Sequence, residues 1–538
     1  MAPSGYLCLV LHAHLPFVRH VEYEDSLEER WLFQAITESY LPLLHRLRRL
    51  VREGVRFSLT VSLSPPLLEM LDDDLLRKRY KRHLSIMHDL ASREMARLKG
   101  SPRRPIAEMY KERFEKAYDM YTRELGEDLP SAWKHLQESG CVELMTSSAT
   151  HAYLPLLIQE ESVAAQVETG VRAFERRFGM RPKGFWLPEC AYTPEIEPHL
   201  ADAGIKYFIL ETHGILCGTP RPRYGFYAPV LTPFGLSAFG RDVDCGKQVW
   251  SADEGYPGDG VYREFHRDIA YELPLEYLGK AVPGGIRTPT GIKYYRVTDR
   301  RSEHKELYDP DIASQRAKTH AENFVFWRKK EAEYWGSVLG KPPLMTAPYD
   351  AELFGHWWYE GPEWIEEVLR LTAGPCGTVR SVTPGTYLEE HPPGDIVKPA
   401  ASSWGYKGYS EVWLGPENGW IYRHLHACQE AMAEASRAYA GAGGTVRRAL
   451  NQAFRELLLA QASDWPFILT SGTVPDYARK RLLNHIGRFR TLISQVNSGE
   501  IDETYLREVE ERDNIFAFLD FESFSKKGES LSAVPSLP

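Results

Sequence analysis

The sequence predicts an α/β protein: a (β/α)7 barrel with an inserted helical subdomain, followed by an all-helical C-terminal domain. Three observations point there. Seven short apolar runs, each with the pattern of a strand buried on both faces, recur through about 390 residues and are separated mostly by helical stretches. None is followed by GxGxxG or GxxxxGK[ST], which disfavours a nucleotide-binding open sheet and leaves a closed barrel as the better fit to that length. After Gly408 the strand pattern stops and long helical periods take over.

Composition narrows the function. The chain of 538 residues is too long for one compact core. Its net charge of −9, from 65 basic and 74 acidic residues, offers no basic footprint for nucleic acid and no polybasic anchor for a membrane. The cysteines at 8, 141, 190, 217, 245, 376 and 428 are odd in number and lack CxxC spacing, so neither a disulfide framework nor a structural zinc site is expected, and the cytoplasm is the expected compartment. The first five residues lack a basic n-region, and the apolar run 6–11 is too short for a signal peptide or a membrane span.

Taken in order, the run 6–11 is the first strand and delivers His12-Ala13-His14-Leu15-Pro16. Ser26-Leu27-Glu28-Glu29 has the form of a capping box, opening a helix that is interrupted near Pro42 and stops at Gly54. The second strand is 56–62, and residues 64–128 read as a helical insertion. The third strand, 142–145, leads to His151, and a helix over 160–178 stops at Gly179. The fourth, 184–187, is ended by Pro188, which has no N–H for a ladder, so Glu189 is held at a strand tip. The fifth, 206–210, precedes Glu211 and His213. Residues 214–298, rich in Gly, Pro and aromatics, are predicted to be short strands and loops laid over the barrel mouth. A helix over 312–335 restores the alternation, the sixth strand runs up to Asp350, and 378–382 is the seventh. The barrel is thus assigned to 1–400, interrupted by 64–128 and 214–298. The helical domain is assigned to 401–525, with helices near 419–440, 445–464, 474–497 and 502–514, and 526–538 to a disordered tail.

Parallel barrels carry their chemistry where strands end, which singles out His12, His14, His151, Glu189, Glu211, His213, Asp350 and His356. Any one alone is most simply a hydrogen-bonded structural residue. Two carboxylates and several histidines on one rim instead suit acid/base and nucleophilic work on one substrate. A metal alternative uses His12 and His14 with an acid such as Asp350 as zinc ligands. Trp404, Tyr406, Tyr409, Trp413 and Trp420 lie in a Gly-rich, non-periodic segment, which favours platforms for sugar rings over core packing. Asp464-Trp465-Pro466 reads as an abrupt helix stop whose acid reaches back into the barrel mouth.

Five stretches, in order, resemble glycoside hydrolase family 57, and within it the α-1,4-glucan branching enzymes and their amylase-like relatives: 12–16, 140–151, 184–192, 346–364 and Asp464-Trp465. The resemblance implies a (β/α)7 barrel and metal-independent retaining chemistry without a cofactor, with Glu189 as nucleophile and Asp350 as acid/base. It implies that His12, His151, Trp404, Trp413 and Asp464 line the sugar sites, and His14 and Trp186 join them as candidate contacts. The expected partner is an α-1,4-glucan such as amylose, glycogen or a starch-like chain. The expected reaction is transfer of a cleaved chain to a 6-hydroxyl, with hydrolysis as the alternative. One departure bears on that choice: branching enzymes of the family use a loop tyrosine to shield the glycosyl-enzyme, and the matching region, 228–249, contains none. The rival classes are a zinc-dependent barrel deacetylase or mannosidase-like enzyme, and a non-catalytic glucan-binding protein.

Overall fold

The computed structural model describes residues 3–251, 254–299, 302–373 and 378–525. Its strands are β1 (Gly5–Ala13), β2 (Leu59–Leu63), β3 (Val142–Ser147), β4 (Gly184–Trp186), β5 (Tyr207–Leu210), β6 (Val230–Leu231), β7 (Ser237–Gly240), β8 (Leu344–Asp350) and β9 (Val379–Ser381). The sheet runs β6-β7-β5-β4-β3-β2-β1-β8. A parallel bridge between Arg241 and Thr346, with Asp242 N donating to Thr346 O at 2.8 Å, joins the end of β7 to β8 and closes the barrel. Seven parallel strands therefore form the wall: β1, β2, β3, β4, β5, β7 and β8.

The number agrees with the sequence pattern, but one member differs. The seventh predicted strand, 378–382, is β9, which pairs with the first residues of β1 (Gly5 with Val379) and lies at the foot of the barrel. Its place in the wall is taken by β7, inside the span read as short strands and loops over the mouth. β7 is only four residues, Ser-Ala-Phe-Gly, fully buried and too weakly apolar to stand out among glycines and prolines. The region 228–249 is accordingly no free loop. It contains β6, β7 and the helix Val243–Trp250, so a tyrosine missing there does not remove a lid.

Side-chain alternation positions the site. Along β1, Leu7, Leu9, Leu11 and Ala13 face the surrounding helices, while Tyr6, Cys8 and Val10 pack inside the barrel with Met145, Trp186, Tyr207, Ile209, Phe239 and Leu344. The same alternation places His12 on top of the inner column, and on β8 it places Asp350 above Leu344, Thr346 and Pro348. His12 and Asp350 are register partners, so the two columns end side by side.

The helix predicted from the capping box starts at Glu29, but without that box. The Ser26 hydroxyl donates to Glu28 Oε2 at 2.7 Å and caps no backbone group, while the Glu29 carboxylate turns inward to accept from His20 N and Arg79. The interruption near Pro42 is a π-turn, Ile36–Tyr40, where Leu41 N donates to Ile36 O. Pro42 has no N–H to give to Glu38 O, and the freed carbonyl accepts from Arg113 at 3.3 Å instead. Gly355 (φ 114°) is pressed against this carbonyl so closely that a Cβ would lie 1.8 Å from it.

The inserted region carries the helices Pro65–Asp72, Asp74–Arg97 and Arg104–Asp119. The C-terminal region carries Tyr422–Ala438, Gly444–Ala460, Asp464–Ser471, Pro475–Ser498 and Glu503–Arg512. The predicted helix 445–464 ends at Ala460, and Asp464-Trp465-Pro466 begins the next helix instead of stopping this one: a proline within the first turn costs no hydrogen bond. The predicted tail, 526–538, and Cys376 lie outside the described residues. Among the described residues no helix is long and apolar enough to cross a membrane.

Candidate active site

An open cleft of about 840 Å³ lies over the C-terminal ends of the strands, lined by His12, His14, Leu15, His151, Trp186, Glu189, Asp350, Glu352, Trp357, Trp404, Asp464 and Phe467. Two bridges far apart in sequence assemble it. Tyr192 and Ser402 exchange backbone hydrogen bonds of 2.9 and 3.1 Å, which lays the 402–404 segment beside the end of β4. Ala152 pairs with Ala462, and Ser463 N donates to His151 O at 3.0 Å, which draws the C-terminal region over the mouth.

Glu189 is turned into the cleft by a left-handed backbone (φ 63°), as is His151 (58°), and the buried Cys190 shares the conformation (50°). For non-glycine residues this conformation costs about 1–2 kcal/mol each, and such strain concentrates where function over-determines geometry. Both carboxylate oxygens of Glu189 are held: Ser463 Oγ donates to Oε1 at 2.6 Å and Trp404 Nε1 to Oε2 at 2.8 Å. Burial, with the nearby charges of Asp464 and Asp350, pushes its acidity up to about 7, against the Ser463 hydrogen bond and His14, which favour the anion.

Asp350 is the exposed end of an otherwise buried strand. It is ringed by protein at a distance and pushed up to about 6 by that enclosure, with Arg241 and His14 opposing. No side chain among the described residues hydrogen-bonds its carboxyl, and it faces solvent directly. Water in the empty cleft softens this push, and a bound chain that displaces the water strengthens it.

The histidines form a stack. His12 lies 4.5 Å from the Trp186 ring and His14 lies 3.8 Å from His151, centroid to centroid. His12 bonds Ser62 Oγ through Nδ1 (3.1 Å) and His151 Nε2 through Nε2 (3.0 Å). Burial holds both His12 and His151 well below the ordinary histidine range, so both are neutral and one donates to the other. For His14 burial is outweighed by Asp464, whose carboxylate lies 3.1 Å from Nε2 and raises the ring's pKa above the ordinary histidine value. The proposed zinc set of His12, His14 and Asp350 is not gathered round one point, since both His12 nitrogens are engaged elsewhere. His14, His151 and Asp464 do have ligand atoms within 4.8 Å of one another, and each already has a protein partner.

Of the other predicted residues, Trp404 is 40% exposed on the cleft, whereas Trp413 is fully buried behind it, edge-on at 5.0 Å and packed on Tyr153. Trp413 supports the platform and does not line the cleft. Glu211 is paired with Arg241, His213 bonds Gly408 O, and His356 bonds Glu38; none of these three lines the cleft. Sequence reasoning missed Ser463, Glu352, Trp357 and Phe467. Glu352 had a usable signal, the same strand-tip position and parity as Asp350, and it too is pushed up to about 7 by burial, with Tyr40 and His14 N donating to it.

Replacing Ser463 by Ala removes a donor to the anionic form of Glu189, so the acidity of Glu189 moves above about 7. A group that must be ionised then fails at higher pH. If Glu189 acts as an anion, the acid limb of kcat should shift upward, with roughly a tenfold loss at pH 6 and less at pH 8; an unmoved limb would detach Ser463 from the ionisation of Glu189.

Comparisons with known proteins agree on the family. A family model described as "Glycosyl hydrolase family 57" matches residues 8–399, and one described as "1,4-alpha-glucan branching enzyme, C-terminal" matches 424–524. The chain is 35% identical to the 1,4-alpha-glucan branching enzyme TK1436 of Thermococcus kodakarensis, over 95% of this chain and 77% of that protein. Among solved structures it is similar to the alpha-amylase AmyC of Thermotoga maritima (TM-score 0.91, 40% identity, covering 98% of this chain and 100% of that one). It is similar also to the GH57-type branching enzyme of Pyrococcus horikoshii (TM-score 0.88, 34% identity, 99% and 98%). With a closed seven-stranded parallel barrel, Glu189 and Asp350 among the carboxylates at its mouth and a family match over most of its length, the chain belongs to glycosyl hydrolase family 57.

Proposed function

We propose that the chain is an α-1,4-glucan branching enzyme working by retaining double displacement, with Glu189 as nucleophile and Asp350 as acid/base. The observation that carries this reading is the reach of the C-terminal region, the part similar to branching-enzyme C-termini, into the barrel mouth: Ser463 binds the nucleophile and Asp464 binds His14. A cleft closed by a second region is what keeps water from a covalent intermediate.

In the first step the Glu189 anion, held by Ser463 and Trp404, attacks the anomeric carbon while Asp350 gives its proton to the departing glycosidic oxygen. In the second, Asp350 takes the proton from the 6-hydroxyl of an acceptor chain, that oxygen displaces Glu189, and an α-1,6 bond forms with the original configuration. His12, His14, His151, Trp186 and Trp404 line the cleft as sugar contacts, and Asp464 bonds His14 and favours its charged form. The division at about residue 400 into a barrel and a helical domain is part of the proposal, supported by the two family matches on either side of it. So are a cytoplasmic site and a role in building glycogen-like polymers; the six described cysteines, all unpaired, support a reducing compartment.

Hydrolysis is the second reading, favoured by the likeness to the Thermotoga alpha-amylase. Incubation with amylose, followed by debranching and separate measurement of new reducing ends, decides between them. Debranchable linkages should form faster than reducing ends, with or without a chelator. Reducing ends alone would make the protein a hydrolase. Activity lost to the chelator and restored by zinc would favour a metal enzyme, and binding without reaction would leave a glucan-binding protein.

A further inference from the structure

We propose that Trp357, braced by Phe265, is the platform on which the acceptor chain lies, so that the Asp350 side of the cleft sets the balance of transfer over hydrolysis; this rests on the transferase reading above. Trp357 is 54% exposed and lines the cleft together with Asp350 and Glu352. Its neighbour Trp358 is 1% exposed and packs against Tyr262 and Trp364. One of the two indoles therefore serves the core, and the other is held out of it.

Trp357 is built in from behind. The Phe265 ring stacks on it with centroids 4.5 Å apart and planes 26° apart, which leaves its other face to the cleft. Phe265 is itself anchored by Lys293, 1% exposed, whose Nζ donates to Phe265 O at 2.5 Å and lies 4.2 Å from the ring centre. Asp268 fastens the same loop by accepting from Ala270 N, Thr290 N and Gly291 N. From the other side, His356 meets Phe265 edge-on at 5.4 Å and bonds Glu38 of the π-turn at 2.7 Å. An indole fixed this way loses little rotamer freedom when a sugar ring settles on it.

Chemistry assigns the side. Asp350 delivers its proton to the oxygen of the departing portion, and the incoming hydroxyl must approach where it can return a proton to the same carboxylate. The wall that continues from Asp350 thus faces first the leaving chain and then the acceptor. Trp404, which donates to Glu189, belongs to the side that holds the donor. Trp357 presents a bare ring face, which selects a neutral pyranose chain by stacking, not by charge.

The test uses maltooligosaccharyl fluoride as donor and rising concentrations of a maltooligosaccharide acceptor, comparing wild type, Trp357→Ala and Trp357→Phe. Fluoride release reads the first step, and the split between transfer product and water product reads the second. The acceptor concentration that halves hydrolysis should rise about tenfold or more in Trp357→Ala, the worth of one good stacking contact. Donor half-saturation should change less than about threefold, and Trp357→Phe should recover most of the loss. Phe265→Leu, which keeps the indole and removes its brace, should act in the same direction with smaller amplitude. An unmoved acceptor dependence, or a larger rise in donor than in acceptor half-saturation, overturns the assignment. If wild type yields only the water product, the transferase reading fails separately. The platform is then read as leaving-side inhibition by maltooligosaccharide, which should be about tenfold weaker in Trp357→Ala, and equal inhibition overturns it.

Discussion

Glu189→Gln is expected to lower kcat by on the order of 10⁴-fold or more, on amylose and on fluoride donors alike, with the fold intact. An amide cannot form the glycosyl-enzyme, and no other carboxylate takes the Ser463 and Trp404 hydrogen bonds that hold this one as an anion. Stability should not suffer. Burial already works against the charged form of Glu189, so a neutral isostere removes an unfavourable desolvation together with the charge. A thermal midpoint at or above that of wild type, with turnover gone, is the expected pair of results; turnover near normal would mean that another residue is the nucleophile.

Asp350→Asn separates the two roles. On amylose, whose leaving oxygen needs a proton, the loss should be roughly 10²–10⁴-fold, the worth of a general acid. On a glycosyl fluoride, which leaves without one, the first step should largely recover. The pH profile carries the sign. Asp350 must be protonated, and its acidity is raised to about 6, so activity is lost as pH climbs through that value. Glu189 must be ionised, and its acidity is raised to about 7, so activity is lost as pH falls through that one. The order is inverted in the empty cleft, and the two limbs of kcat/KM belong to the pair, not to either residue. Substrate expels the water that faces Asp350, which raises it further, while the two hydrogen bonds keep Glu189 charged. The alkaline limb of kcat should therefore lie at higher pH than that of kcat/KM, and Asp350→Asn should erase it. A limb that stays after the substitution would belong to another group.

The placement of Glu189 and Asp350 on one cleft was legible because strand ends are local features. An apolar run that stops at Pro188 or at Asp350 announces its tip, and alternation along β1 does the same for His12. The barrel's size was legible from the count of runs, but its membership was not, because β7 is a short buried strand whose identity depends on the Arg241–Thr346 closure. Ser463 was invisible for the same reason: its role exists only through the pairing of Ala152 with Ala462. The burial of Trp413 behind Trp404 shows the limit of composition, since two tryptophans of one Gly-rich segment divided into a wall and its backing.

The contact between Ser463 and Glu189 spans 274 positions of chain. During synthesis, β1 to β4 and the nucleophile emerge long before the groups that prepare it. A nascent chain that has reached Asp350 already owns both reacting carboxyls, yet Trp404, Ser463 and Asp464 are still to be made. Glu189 in such a chain has lost both donors, and His14 its counter-charge. The order of residues along the chain thus acts as a timer: the groups that prepare Glu189 and pair with His14 arrive last.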